Sequence, residues 1–161
     1  MRRPTTLLAC AGMALVLSAC STFPLVKHTV KDDHFRFENI TSSEADDNYE
    51  RIYLMCHNQQ PEEWAQPRQY EAGKHNLWLK VLIRDQDRPM ALRRAYANFK
   101  VNLAPGTSYM PNRRVEGHLV HLWIQESDTG IRVSEIVTTE LEAPWINNRI
   151  EHKARCKGSS V

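Results

Sequence analysis

Alternation of apolar and polar positions is clearest in the middle of the chain. From His75 to Arg84, Leu77, Leu79, Val81 and Ile83 fall on one parity, and Asn76, Trp78, Lys80, Leu82 and Arg84 on the other. A period of two marks a strand with one buried face. Leu92–Leu103 repeats it, with Ala95, Ala97, Phe99, Val101 and Leu103 set against Arg94, Tyr96, Asn98, Lys100 and Asn102. Ala104-Pro105-Gly106-Thr107 then places proline and glycine where a type II turn needs them. Tyr109 opens the next extended segment. His118–Gln125 is apolar on both parities, which predicts a central strand. Ser127-Asp128-Thr129-Gly130 reads as a hairpin turn. Ile131–Leu141 carries Ile131, Val133 and Val137 on one parity, and Glu135 interrupts that stripe, predicting a bulge or a strand end.

The flanks are less regular. Phe35–Ile40 reads as a strand with Phe35 and Phe37 on one face. Tyr49–His57 is rich in β-formers around Ile52 and Tyr53, and a short helix entering from Ser42 or Ser43 is the alternative. Gln59–Pro67 holds Pro61 and Pro67 and reads as a loop or irregular edge. Trp145–Arg155 leaves two forms open, a short terminal helix or an extended strap. Strands at roughly ten-residue spacing, joined by Gly, Pro and Asp turns, predict an all-β fold. The expected architecture is one antiparallel β-sandwich, immunoglobulin-like or related, over residues 32–161.

The N-terminal pattern is of another kind. Arg2 and Arg3 precede thirteen residues, Leu7 to Ala19, that are almost wholly apolar or small. A membrane span needs ~20 apolar residues, so this segment reads as a cleaved export signal. It ends in Leu17-Ser18-Ala19-Cys20, which resembles the lipobox of bacterial lipoproteins. The resemblance implies lipid transfer to the Cys20 sulfur, cleavage between Ala19 and Cys20, and acylation of the new N-terminus. Residues 1–19 would then be the signal peptide and 20–31 a lipidated tether. Ser21 follows the cysteine. In the lipoprotein sorting rule of enteric bacteria, serine there permits export, which implies the periplasmic leaflet of the outer membrane.

That leader changes the charge reading. The full chain has 21 Lys and Arg against 19 Asp and Glu. Losing Arg2 and Arg3 leaves 19 of each sign. A neutral mature domain has no basic field to hold nucleic acid. Arg93-Arg94 and Arg113-Arg114 are adjacent pairs, which a strand splits between its two faces.

Of four cysteines, Cys10 lies in the leader and Cys20 carries the lipid. Cys56 and Cys156 remain, an even pair in an oxidising compartment, and a disulfide between them is the expected pairing. The rival reading is a Cys56/His57 nucleophile pair, but adjacent side chains on a strand diverge.

Other residues raise specific chemistry. His118 and His121 have the spacing of a metal pair on a helix, while a strand sends them to opposite faces. His75 flanks a turn. Glu62-Glu63 are adjacent carboxylates in a loop, and Glu135, if buried, needs a cation such as Arg132 or Lys80. Trp64 and Trp78 are the candidates for an interaction surface, since Trp78 lies on the polar parity of its strand. No Gly-x-Ser-x-Gly, Walker-type or His-Glu-x-x-His pattern occurs. No cofactor and no metal are expected.

Gly73-Lys74-His75 before an alternating strand, then Pro105-Gly106-Thr107-Ser108-Tyr109, then Asp128-Thr129-Gly130, resemble small β-sandwich domains of uncharacterised Gram-negative lipoproteins. The resemblance covers Tyr70 to Leu141 and implies a fold and a compartment rather than a reaction. Gly73 and Gly106 supply turn geometry, and Tyr109 is expected to pack its ring at the core edge with its hydroxyl on a backbone partner. The expectation is a non-enzymatic envelope lipoprotein, bound to the membrane by its lipid and to an envelope protein by its β domain. Two alternatives stand beside it: a small hydrolase or metal-dependent enzyme using His75, His118, His121 and Glu135, and a carrier with a cavity for a small ligand or lipid.

Overall fold

A computed structural model describes residues 29–42, 49–63, 66–85, 88–143 and 149–161. The expected signal peptide, the lipobox-like Leu17-Ser18-Ala19-Cys20, most of the expected tether, and Trp64 and Trp145 lie outside the described residues.

The alternating stretches are strands. In chain order they are β1 (His34–Phe37), β2 (Ile40–Thr41), β3 (Glu50–Leu54), β4 (Cys56–His57), β5 (Gln60–Pro61), β6 (Arg68–Glu71), β7 (Gly73–Asp85), β8 (Arg88–Leu103), β9 (Ser108–Glu116), β10 (Leu119–Glu126) and β11 (Val137–Glu140), followed by one helix, α1 (Arg149–Lys157). Two sheets dominate. One runs β11-β10-β9-β1-β6, the other β2-β3-β7-β8, and β4-β5 form a small separate ribbon. All pairings are antiparallel except β1 with β9, where Arg36 faces Ser108 and Phe37 faces Tyr109. The result is an all-β, sandwich-like fold.

The apolar parities face each other between the two large sheets. Leu77, Leu79 and Val81 of β7, Ala95, Ala97 and Phe99 of β8, and Ile52 and Leu54 of β3 meet Phe35 and Phe37 of β1 and Val120, Leu122 and Ile124 of β10. Burial of such side chains stabilises by about 1.5–3 kcal/mol each, which is why register is fixed on this face. The outward positions of β10 differ from expectation: Leu119, His121 and Trp123 are only half-buried, so that strand has one buried face rather than two. It still lies inside its sheet, between β9 and β11.

Both edges of the sandwich are clasped. On one side Glu50 of β3, 9% exposed, pairs with Arg113 of β9, whose Nε donates to Oε1 at 2.6 Å. On the other, Arg94 and Glu142 exchange backbone N–H···O bonds of 2.8 Å, tying β8 to the residues after β11. The arginine pairs do split: Arg113 reaches Glu50, while exposed Arg114 reaches Glu116 at 2.9 Å.

Turn chemistry sits where the residues demand it. Gly106 adopts φ +71°, the value its turn requires and one that other residues resist. Tyr109 is buried, and its hydroxyl oxygen accepts from Ala104 N at 3.0 Å, holding that turn to the core. At Glu135 the strand is interrupted. Ser134 Oγ accepts from Ile124 N at 2.8 Å in place of a strand carbonyl, and Glu135 is exposed, so it needs no buried cation. Tyr49–His57 is extended rather than helical, and it divides into β3 and β4 at Met55. The irregular Gln59–Pro67 segment contains the short strand β5, whose Gln60 and Pro61 pair with His57 and Cys56.

Helix α1 is polar over most of its surface, and Cys156 is its one buried residue. Its charges suit the helix dipole, with Glu151 in the first turn and Arg155 and Lys157 in the last. It is anchored by tertiary contacts. Cys156 is joined to Cys56 by a disulfide with S–S 2.04 Å and Cα–Cα 5.4 Å. Beyond it the tail runs along β7: Ser160 N donates to Asn76 O at 3.0 Å, Ser160 Oγ accepts from Asn76 N at 3.0 Å, and the Asn76 amide donates to Gly158 O. Val161 is buried in the main core. Helix and strap, the two open forms of the C-terminal segment, are therefore both present in succession.

Candidate functional site

The polar parity of the four-stranded sheet forms a second surface, opposite the core. Cross-strand register arranges it in rows. Arg51, Leu82 and Arg94 form one row, and Tyr53, Lys80 and Tyr96 the next. Trp78 follows, opposite Asn98. Cations thus alternate with aromatic rings both along and across the strands. Lys80 Nζ lies 6.0 Å from the Tyr53 ring centroid, and the Arg94 guanidinium 5.9 Å from that of Tyr96. Arg51 and Arg84 sit over Tyr49 at 5.7 and 5.6 Å. Such contacts are worth about 0.5–2 kcal/mol each, more where water is excluded.

Helix α1 covers one end of this face. Arg155 lies 5.0 Å from the Trp78 ring and 4.6 Å from that of Tyr96. His152 Nε2 is 2.6 Å from the Tyr96 hydroxyl. Trp78 is half-buried and packs with Tyr96 against Met55 and the Cys56–Cys156 disulfide. The ring singled out as an exposed docking residue is in large part the seat of the chain's own helix.

Burial and like charge act on the ionisable groups here. Desolvation lowers the Lys80 pKa below the usual lysine value, and Arg94 and Arg51 add repulsion, while Glu63 opposes both. The His152 pKa is lowered by burial first, then by Lys80 and Arg94. Burial raises the Tyr53 hydroxyl well above its ordinary value. Arg94 stands out further. Its side chain belongs to a residue only 6% exposed, and its Nε has no hydrogen-bond acceptor among the described residues. A buried guanidinium normally finds a carboxylate or carbonyl, because desolvation costs several kcal/mol when it does not.

The other predicted residues are placed as follows. Cys56 is buried and bonded to Cys156, so the Cys56/His57 nucleophile reading is corrected: the sulfur is committed to the disulfide. His75 is held by Ser160 Oγ at 2.9 Å and Glu71 O at 2.8 Å, against the edge of the Phe35 ring. His118 is exposed in the turn before β10, and His121 Nδ1 is 2.8 Å from Thr138 Oγ1. Among the described residues, no three His, Cys, Asp or Glu side chains gather as a metal site would need. Glu62 is spent on Arg68, at 3.1 and 3.3 Å. A recess of about 510 Å³ opens elsewhere, where Thr29 and Val30 enter the domain, beside the Arg36–Glu38 pair and the Gly106–Ser108 and Glu126–Thr129 turns.

Sequence reasoning named Trp78 as a surface residue but weighed Arg94 only as half of a split basic pair and Lys80 only as a cation for Glu135. A signal was present: Arg51, Lys80 and Arg94 share the polar parity of β3, β7 and β8 with Tyr53, Trp78 and Tyr96. Period-two counting treats any polar position as solvated, and so hides it. The chain matches no known family model, no curated protein and no solved structure.

Proposed function

We propose that this chain is a lipid-anchored envelope lipoprotein whose β domain works as a non-enzymatic recognition module, presenting the outer face of the four-stranded sheet to an envelope protein. The anchor rests on the leader and on Leu17-Ser18-Ala19-Cys20. Two or more acyl chains hold a protein stably at a bilayer, at ~0.8 kcal/mol per buried methylene. The residues from Ser21 to Lys31 reach at most ~40 Å when extended, which keeps the domain beside the outer membrane's periplasmic leaflet.

The observation that carries the recognition role is the row structure of Arg51, Leu82 and Arg94 beside Tyr53, Lys80 and Tyr96. A purely structural outer face is usually solvated and mixed in charge. This one concentrates tyrosine, tryptophan and arginine, the residue types enriched where proteins bind each other.

Two measurements test the reading. Replacing Cys20 by Ser removes the acylated sulfur and should release the chain from the membrane fraction; unchanged membrane association overturns the anchor. A photo-crosslinking residue at exposed Lys100, on the outer face of β8, should trap a discrete adduct in cells. The same probe at exposed Arg114, on the other sheet, should not. Equal adducts from both positions, or none from either, overturn the recognition face.

A further inference from the structure

Resting on that recognition face, we infer that Arg94 and Lys80 form a binding site for a single carboxylate, supplied by an acidic side chain of the partner protein. Arg94 lies beside Leu82 in register, and Lys80 is one row along on the adjacent strand. Diagonal neighbours of this kind are ~7–8 Å apart at the backbone, within reach of two long side chains converging on one group. Arg51, two strands from Arg94 and so about 10 Å away, adds positive potential from the far side.

The Arg94 guanidinium has a buried Nε with no acceptor among the described residues and lies over an aromatic ring. A carboxylate offers the planar, two-oxygen geometry that a guanidinium fork matches, in a setting where charge-assisted bonds are strongest. Tyr53 and Tyr96 exclude water from its flanks, since Tyr53 is fully buried and Tyr96 half-buried.

Two carboxylates already stand near these cations. Arg155 is already paired with Glu151, four residues earlier on α1. Lys80 feels the exposed Glu63. Glu151 also lies within electrostatic reach of Arg94, but no acceptor meets the Arg94 Nε among the described residues. A carboxylate adds one negative charge beside Glu63 and Glu151 where a phosphate dianion adds two, and its planar oxygens fit the guanidinium fork.

The test uses the full-length protein in non-ionic detergent. The Arg94 Nε–H resonance is followed by proton–nitrogen correlation NMR while acetyl-Ala-Glu-Ala-amide is added at constant ionic strength. The expected result is a saturable shift that the glutamine counterpart of the peptide does not produce. Lys80→Met should weaken that binding about tenfold, the loss of one charge-assisted contact. Arg94→Gln should abolish it, read from the Tyr96 ring resonances. Lys80 is only half-buried, so its variant keeps the test valid if Arg94→Gln fails to fold. No saturable shift, or equal shifts from both peptides, overturns the site. Tighter binding of inorganic phosphate than of the peptide overturns the carboxylate assignment. A persistent Lys100 adduct alongside a failed titration would sink this inference and leave the recognition face standing.

Discussion

The two faces of the four-stranded sheet are built from the same strands and differ by one residue in parity. The inner face is aliphatic and closed, with Leu77, Leu79, Val81, Ala95 and Ala97 packed against Phe35, Phe37 and Leu122. The outer face carries Arg51, Lys80 and Arg94 among tyrosines, and it is finished by a helix that the disulfide holds in place. Non-directional burial suffices for the first. The second depends on particular partners, because each cation there is stable only if something compensates its lost hydration. The comparison separates a surface that holds the fold from one available for recognition.

The largest break comes from the inner face. Phe35→Ala removes a fully buried ring that touches Tyr70, His75 and Tyr109. It should cost about 3–5 kcal/mol, measured as a lowered denaturant midpoint. A loss near zero would show that the sheets are not packed on each other.

The outer face answers to the covalent clasp. Replacing Cys56 and Cys156 together by Ser should cost about 2–4 kcal/mol, because the crosslink restrains a long stretch of the unfolded chain. The bonded residues are 100 apart in sequence. The same change should free α1 and raise Trp78 exposure, seen as a red-shifted tryptophan emission. Full stability with unshifted emission would mean that the strap along Asn76 holds the helix unaided.

The smallest effect is a pH dependence that belongs to the outer face. The folded-state His152 pKa lies below 6.5, so the unfolded chain takes up the proton first. Stability is therefore complete above pH 6.5 and declines as the pH falls through the folded value. Lys80, Arg94 and Arg155 are the cations that oppose its protonation, and Glu151 favours it. Urea midpoints between neutral pH and pH 5 should fall in the parent and less in His152→Gln. Asp33 and Glu151, with lowered carboxyl values, add their own losses only below about pH 4.5. Identical profiles for parent and variant would remove His152 from this account.

Strand existence was legible because alternation records one-sided burial directly: His75–Arg84 and Leu92–Leu103 lie within the longer β7 and β8. The Pro105-Gly106 turn and the Tyr109 anchor were legible for a local reason, since φ at Gly106 and a hydroxyl a few residues away need no distant information. Strand β6 was not, because Arg68, Gln69 and Tyr70 are all half-buried and Glu71 is exposed, with no alternation. Nor was the parallel pairing of β1 with β9, which periodicity cannot encode.

From the amino-acid order alone came the β class, the two parities of β7 and β8, and the expected pairing of the cysteines. The first two are properties of neighbours along the chain, and the third follows from a count. The tertiary structure alone decided that the polar parity of one sheet is an aromatic and cationic face roofed at one end, and that Arg94 lies buried there without an acceptor for its Nε among the described residues. The reason is physical. Burial of a charge depends on what comes to rest above it, and here that includes a helix drawn in by a bond between residues 56 and 156.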